Sequence, residues 1–126
     1  MTEWRWVSAA AATAIHLEQL AEHGGGDGVR DEGLLLSALA RPQKAAAYGD
    51  PDAAGLAASY AFRIARNHPF IDGNKRTAWV VARLFLRKND TAIEFNKAEA
   101  TVQVLALAAG DLSEEAFAAW LRERIA

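Results

Sequence analysis

The sequence predicts an all-α fold, and three features of the chain support that prediction. Alanine supplies 29 of the 126 residues and proline only three, a composition that favours closely packed helices. No segment sustains the alternation of apolar and polar residues that marks a half-buried strand. Helix-capping residues and glycine or proline stops recur along the chain. We therefore expect a compact helical bundle, one domain over residues 1–126, around a central buried helix at about residues 74–89.

The first predicted helix begins after Ser8, a good N-cap residue, and ends where His23 meets a glycine-rich stretch at residues 24–28. That stretch fits neither the dinucleotide-binding nor the Walker pattern of glycines, because Val29 and Arg30 follow it instead of Lys and Ser or Thr. We interpret it as a linker.

Asp31 or a neighbour begins the second predicted helix, which we expect to stop near Pro42, because proline disfavours a helical residue before it. Residues 43–50 are predicted to be irregular. Asp50 and Pro51 then suit the cap and the first position of a third helix. Two further helices are predicted after the central one, at residues 97–108 and 113–125, separated by Gly110 and Asp111.

Composition excludes several functional classes. The chain has no cysteine, which removes disulfides, thiolate catalysis and cysteine-based zinc sites. Charged residues make up 24% of it, no apolar run is long enough to cross a bilayer, and the N-terminus shows no secretory signal. We expect a cytoplasmic protein without a membrane contact, and the net charge of −2 argues against a protein that coats nucleic acid.

Basic charge is concentrated in residues 63–88, which contain seven basic residues and one acidic residue. The net charge of this segment is +6, and that of the rest of the chain is −8. Such a cluster indicates a phosphate-bearing ligand nearby. The alternative is a solvated helix face. On a helical wheel Arg76, Arg83 and Arg87 form one narrow stripe, and apolar residues cover most of the remaining circumference, which predicts a buried central helix.

The stretch from His68 to Arg76 carries the most chemistry. Pro69 should end the preceding helix at about Asn67, Gly73 permits a sharp turn, and Asn74 is predicted to N-cap the central helix. The unsatisfied backbone N–H groups of a helix start form an anion site. Lys75 and Arg76 oppose the helix dipole there, a penalty that a bound polyphosphate would reverse.

Two side chains in this stretch suit phosphoryl or nucleotidyl transfer. His68 can act as a general base on an attacking hydroxyl, and Asp72 is a hard carboxylate suited to Mg²⁺ that bridges nucleotide phosphates. In the alternative interpretation His68 is a buried structural histidine, and Asp72, Asn74 and Arg76 merely cap the helix and pair with each other. A metal site on His16 and His23 has little support, because a third ligand is missing.

The same stretch resembles the Fic motif, H-P-F-x-D/E-G-N-G-R, with Lys75 in the place of its second glycine. The variant N-K-R followed by Thr and Ala is similar to that of the death-on-curing (Doc) toxins. The likeness extends over nearly the whole chain, through residues 24–25, 30–35, 37–43, 85–89 and 113–115. The chain departs from the family at Leu36, where Glu is expected, and at Asp90, where Gly often ends the central helix.

This resemblance implies an all-helical bacterial toxin that uses ATP and Mg²⁺ to phosphorylate a threonine of elongation factor Tu, and that a Phd-type antitoxin neutralises. Residue by residue, it makes His68 the base, Asp72 the metal- or phosphate-positioning acid and Phe70 the core anchor of the loop. Lys75 is expected to favour transfer of the terminal phosphate. The residues expected to bind ATP phosphates are Gly73, Asn74, Lys75, Arg76 and, more weakly, Arg66.

Three hypotheses follow from the sequence: a Doc-like protein kinase toxin, a Fic-like AMP transferase, and a non-catalytic helical module that uses the basic cluster to bind nucleic acid. Self-inhibited Fic proteins resemble one another in a helix with S/T-x-x-x-E. No Ser or Thr of this chain is followed four residues later by Glu. We therefore expect inhibition in trans, by an amphipathic helix that lies in an apolar groove beside the His68 loop.

Overall fold

Six α-helices make up the regular structure of residues 3–126, the part of the chain that the computed structural model describes. In chain order they are α1 Ala9–His23, α2 Glu32–Tyr48, α3 Ala53–Asn67, α4 Asn74–Lys88, α5 Lys97–Ala109 and α6 Glu114–Arg124. Within those residues the only strand-like pairing is two isolated β-bridges, Val29 with Phe70 and Ile93 with Ile125. The predicted all-α fold is confirmed.

Most helices begin where a short polar side chain satisfies a free backbone N–H. The side chains of Ser8, Asp31, Asp52, Asn96 and Ser113 each accept a hydrogen bond from the N–H three residues on, at 2.9–3.1 Å. The capping of α1 by Ser8 follows the sequence prediction. The start of α4 has no such side-chain cap.

Two predicted boundaries are wrong, and both errors concern α2 and α3. Helix α2 passes through Pro42 and ends at Tyr48, so the stretch predicted to be irregular is mostly helical. Pro42 is buried, and packing of α2 against α3 compensates for the backbone bond that a proline removes. Helix α3 is capped by Asp52 and not by Asp50, and the Asp52 carboxylate also pairs with Arg122 of α6.

Helix α4 lies at the centre, as predicted, in contact with α1, α3 and α5. Its inward face carries Ala78, Val81, Ala82, Phe85 and Leu86, all fully buried. Five buried alanines of α3 have no atoms beyond Cβ, so α3 and α4 approach closely. These alanines are Ala54, Ala57, Ala58, Ala61 and Ala65. The start of α4 is therefore held by the core.

Aromatic side chains fasten the N-terminal segment to the far end of α4. The rings of Trp4, Trp6 and Tyr60 surround Phe85, with centroids 5.3–5.8 Å from its ring. The Tyr60 hydroxyl accepts a buried hydrogen bond from the Val7 backbone N–H at 2.9 Å. No helix among residues 3–126 is long and apolar enough to cross a membrane.

The contact between Asp52 and Arg122 gives a stability test with a matched control. Asp52→Ala should lower the free energy of unfolding by about 1–2 kcal/mol, since it removes both the α3 cap and the partner of Arg122. Asp52→Asn keeps an oxygen that can accept from Gly55 N–H, so we expect a loss below about 1 kcal/mol. Urea unfolding at pH 7 measures both losses.

The same pair sets a pH dependence. The hydrogen bond from Arg122 holds the pKa of Asp52 below its ordinary value, so the folded state is stabilised while this carboxyl is ionised. The advantage of the wild type over Asp52→Asn should be full at neutral pH and disappear as the pH falls below about 4. Equal stability of the two proteins at pH 7 would contradict this role.

Candidate functional site

A cavity of about 510 Å³ opens at the start of α4 and brings together most of the predicted site residues. His68 and the stretch from Ile71 to Arg76 form one side, and Trp79 of α4 with three residues of α5 forms the other. The α5 residues are Thr101, Val104 and Leu105. Arg66 is not among the lining residues; its guanidinium lies over the ring of Phe62, beside Gly110.

His68 ends α3 in a left-handed conformation, with φ 50° and ψ 56°. As predicted, His68 lies outside the helix and precedes Pro69. Its left-handed conformation is uncommon for a residue other than glycine. Its backbone N–H donates to the Ile64 carbonyl at 3.3 Å and caps the helix. Its imidazole is exposed at the cavity, so His68 is not a buried structural histidine.

Arg30 holds the His68 backbone in this conformation. Its Nε donates to the His68 carbonyl at 2.7 Å and its Nη2 to the Asn67 carbonyl at 2.8 Å. The Arg30 backbone N–H donates to the Pro69 carbonyl at 2.7 Å. A side chain 38 residues upstream therefore positions the candidate base, a function that the sequence reasoning did not assign to it.

Asn74 is not the N-cap of α4, which corrects the sequence prediction. It is the first helical residue, and its amide bonds both backbone groups of Phe70: Oδ1 accepts from the N–H at 2.9 Å, and Nδ2 donates to the carbonyl at 3.0 Å. Both residues are buried, so these groups need partners inside the protein. The cap position belongs to Gly73, whose φ of 75° suits glycine.

The start of α4 consequently presents free backbone donors to the cavity. The first bond of the helix runs from Thr77 N–H to the Gly73 carbonyl, so the three preceding N–H groups have no partner within it. Neither a capping side chain nor an acidic residue occupies the first turn, whereas Lys75 and Arg76 do. These features together suit the binding of an anion. The assignment of Asn74 as a phosphate ligand stays a prediction that concerns its backbone N–H.

Asp72 contributes the carboxylate of the cavity. Its Oδ1 accepts from Gly73 N–H at 2.8 Å, and its Oδ2 faces Gly25 so closely that a Cβ there would lie 2.7 Å away. The Gly28 carbonyl accepts from Ile71 N–H at 3.1 Å. The glycine-rich stretch is a loop, as predicted, but it also packs against the motif, and Gly25 must remain glycine for Asp72 to keep its place.

His16 of α1 forms a hydrogen bond with the backbone of Asp72. It is buried, its Nε2 lies 2.7 Å from the Asp72 carbonyl, and its ring stacks on Phe70 with centroids 4.0 Å apart. Because a carbonyl only accepts, Nε2 carries the proton. Phe70 is fully buried, which confirms it as the anchor of the loop. The sequence signal that could have identified His16 is a single histidine on the apolar face of a predicted helix, because a buried histidine needs a hydrogen-bond partner.

The fold and the cavity define a class of protein: a helical bundle with an anion site at the start of its central helix and a histidine beside it. The sequence profile of the Fic/DOC family matches residues 6–86. Protein kinase doc of Escherichia phage P1 is 34% identical over 119 residues, 94% of either chain. Toxin Doc of Mycolicibacterium smegmatis is 51% identical over 69 residues, 52% of either chain. The chain therefore belongs to the Fic/Doc family.

Replacement of His16 tests whether it positions the loop. His16→Leu should lower the free energy of unfolding by about 1–3 kcal/mol, because it leaves the Asp72 carbonyl without its donor. It should also speed amide hydrogen exchange at Phe70 and Ile71, whose N–H groups are hydrogen-bonded in the loop. His16→Gln retains an N–H donor and should recover at least half of the protection. Identical exchange in the two variants would mean that the hydrogen bond does not hold the loop.

Proposed function

We propose that the protein is the toxin of a toxin–antitoxin module and that it transfers the terminal phosphate of ATP to a protein hydroxyl. One structural observation carries this proposal: the uncapped start of α4, with Lys75 and Arg76, lies in the same cavity as His68. The names of the two relatives, a protein kinase and a toxin, support the proposal.

The start of α4 would bind the phosphates of ATP. Its free backbone N–H groups donate to phosphate oxygens, and Lys75 and Arg76 neutralise the charge that develops during transfer. Lys75 occupies the position where the more general Fic motif has glycine, so a long cation fills space that would otherwise allow close backbone approach. This difference supports transfer of the terminal phosphate over transfer of AMP.

His68 would act as the base. An imidazole nitrogen takes the proton of the attacking hydroxyl, the hydroxyl oxygen forms a bond to the terminal phosphorus, and the bond from that phosphorus to the bridging oxygen breaks, so that ADP leaves. Arg30 contributes by holding the His68 carbonyl, which keeps the imidazole at the cavity. Arg66 does not line the cavity, and the proposal assigns it no step.

Asp72 fits the requirements of a magnesium ligand. It supplies a hard oxygen donor at the cavity, and its Oδ2 accepts no hydrogen bond among residues 3–126. No group of three or more potential ligands is assembled in that part of the chain, which is compatible with an ion held by one carboxylate, phosphate oxygens and water. Bound Mg²⁺ would neutralise phosphate charge and orient the transferred group.

The partners in this proposal are a threonine of elongation factor Tu as the acceptor and a Phd-type antitoxin as the inhibitor, in the bacterial cytoplasm. An inhibitor in trans is supported by the absence from the sequence of any S/T-x-x-x-E segment. It is also supported by exposed apolar side chains beside the cavity, Ile71, Val102 and Leu105, which an amphipathic helix would cover.

The nucleic-acid hypothesis gains no support from the placement of the basic residues. Lys75 and Arg76 line the catalytic cavity, Arg66 lies beside Gly110, and Arg83 and Arg87 line a second cavity. Four of the seven basic residues of this segment thus line two cavities.

Incubation with elongation factor Tu and ATP labelled separately at the α and γ phosphates tests the proposal. The γ label should enter the protein acceptor, and His68→Ala should reduce that transfer at least ~100-fold while circular dichroism shows an intact fold. Incorporation of the α label would identify an AMP transferase instead. Near-normal transfer by a folded His68→Ala variant would exclude His68 as the base.

Lys75→Gly restores the glycine of the general Fic motif and tests product selection. We expect γ transfer to fall by about 10-fold or more, because an electrostatic contact to the developing charge is lost. Transfer of the α label should rise in the same assay. Lys75→Ala serves as the control, because it removes the cation without placing a glycine in the helix. Equal γ transfer by wild type and Lys75→Gly would show that Lys75 does not select the product.

A further inference from the structure

A second cavity, also of about 510 Å³, lies along α4 beyond the catalytic one. Two arginines of α4 and the extended segment after this helix form its walls. The lining residues are Arg83, Arg87, Asp90, Thr91, Ala92, Ile93 and Phe95. Neither the resemblance nor the proposed reaction gives this cavity a role.

Arg83 is half-buried and has an unsatisfied donor. Its guanidinium lies over the rings of Trp79 and Phe95, 5.3 and 5.5 Å from their centroids. Its Nε is buried and has no hydrogen-bond partner in the part of the chain that is described. Buried donors normally find partners, so the described residues leave the Arg83 guanidinium incompletely compensated.

The charge of the cavity is also uncompensated. Within residues 3–126 neither Arg83 nor Arg87 forms an ion pair or a side-chain hydrogen bond, and Asp90, the one acid that lines the cavity, pairs with neither. Burial, and then the charge of Arg87, lower the pKa of Arg83. Two guanidinium groups that face one cavity favour an oxyanion, since each can bind a carboxylate or phosphate through two parallel bonds.

The remaining walls distinguish between the kinds of anion. Ile93 and Phe95 are apolar, and the cavity is several times larger than a single phosphate ion needs. Residues 92–94 pair on one edge with the end of the chain, through Glu94 N–H to the Arg124 carbonyl and Ala126 N–H to the Ala92 carbonyl. The N–H groups of Ile93 and Phe95 donate to no other described residue. Residues 93–95 are therefore extended backbone with free N–H donors at Ile93 and Phe95, which line the same cavity as Arg83 and Arg87.

We propose that this cavity binds an extended acidic segment of a partner protein. Carboxylates of the segment bind Arg83 and Arg87, its apolar residues contact Ile93 and Phe95, and its backbone pairs with the free edge at residues 93–95. A free phosphate would use only the arginines. An acidic peptide with alternating apolar residues uses all three features of the cavity.

Trp79 places the segment next to the catalytic cavity. Its ring lines that cavity and also lies under the Arg83 guanidinium. A partner bound at Arg83 is therefore adjacent to the site where we place phosphate transfer. The inference does not depend on the proposed reaction, because binding at the second cavity requires neither ATP nor His68.

Isothermal titration calorimetry on the full-length protein tests the proposal with two capped peptides, one of alternating Glu and Val and one in which Gln replaces each Glu. The Glu peptide should bind at least 10-fold more tightly than the Gln peptide. Arg83→Met and Arg87→Met should each weaken its binding by at least 10-fold, and Lys44→Met should change it less than 2-fold. Lys44 provides the matched loss of charge, because its helix, α2, makes no packing contact with α4.

Arg83→Lys keeps the charge but loses the paired donors, so it should bind with intermediate affinity. Arg87→Met covers the case in which Arg83→Met fails to fold, since Arg87 is exposed. Equal affinity for the Glu and Gln peptides, or undiminished binding by a folded Arg83→Met variant, would overturn the proposal. Binding of pyrophosphate with the same arginine dependence, and without binding of the Glu peptide, would assign the cavity to phosphate instead.

Discussion

The loop that joins α3 to α4 is the constraint on which the site depends, and side chains hold it at three points. Arg30 binds the carbonyls at its beginning, the Asn74 amide closes both backbone groups of Phe70, and His16 binds the carbonyl of Asp72. The Asn74 contacts are buried and the His16 contact is partly buried, so these two side chains satisfy backbone groups that would otherwise be costly to bury, whereas the Arg30 contacts lie at the surface. The loop is thereby fixed before any ligand arrives, which is the condition that positioned catalysis requires.

Packing of α4 explains why such a short loop can serve as a site. The alanine face of α3 and the aromatic cluster at Phe85 fix the direction of α4, and Phe70 fixes the loop to the same core. His68 and the backbone donors of α4 therefore belong to one rigid unit. The opposite wall comes from α5, which packs on α3 and α4.

Local signals in the sequence were sufficient for most of the fold, and the errors occur where distant residues decide. Ser8 and Ser113 cap helices because their neighbours alone favour it. Asp52 pairs with Arg122, 70 residues away, and the helix that contains Pro42 packs against α3. These tertiary contacts lie outside any window of neighbouring residues.

The candidate site divides in the same way. The motif itself identified His68, Asp72, Lys75 and Arg76, all of which line one cavity. It did not identify Arg30 and His16, because their partners lie 38 and 56 residues away in sequence. The sequence prediction put Asn74 at the N-cap because asparagine favours that position. In the structure its amide instead bonds both backbone groups of buried Phe70.

The start of α4 has features that helix capping alone does not explain. Two cations in the first turn cost about 0.3–1 kcal/mol each against the helix dipole. The other five described helices begin with a capping side chain, so the fold has the means to satisfy a helix start and does not use it here. An external anion would stabilise this unfavourable arrangement, which three supporting contacts hold in place.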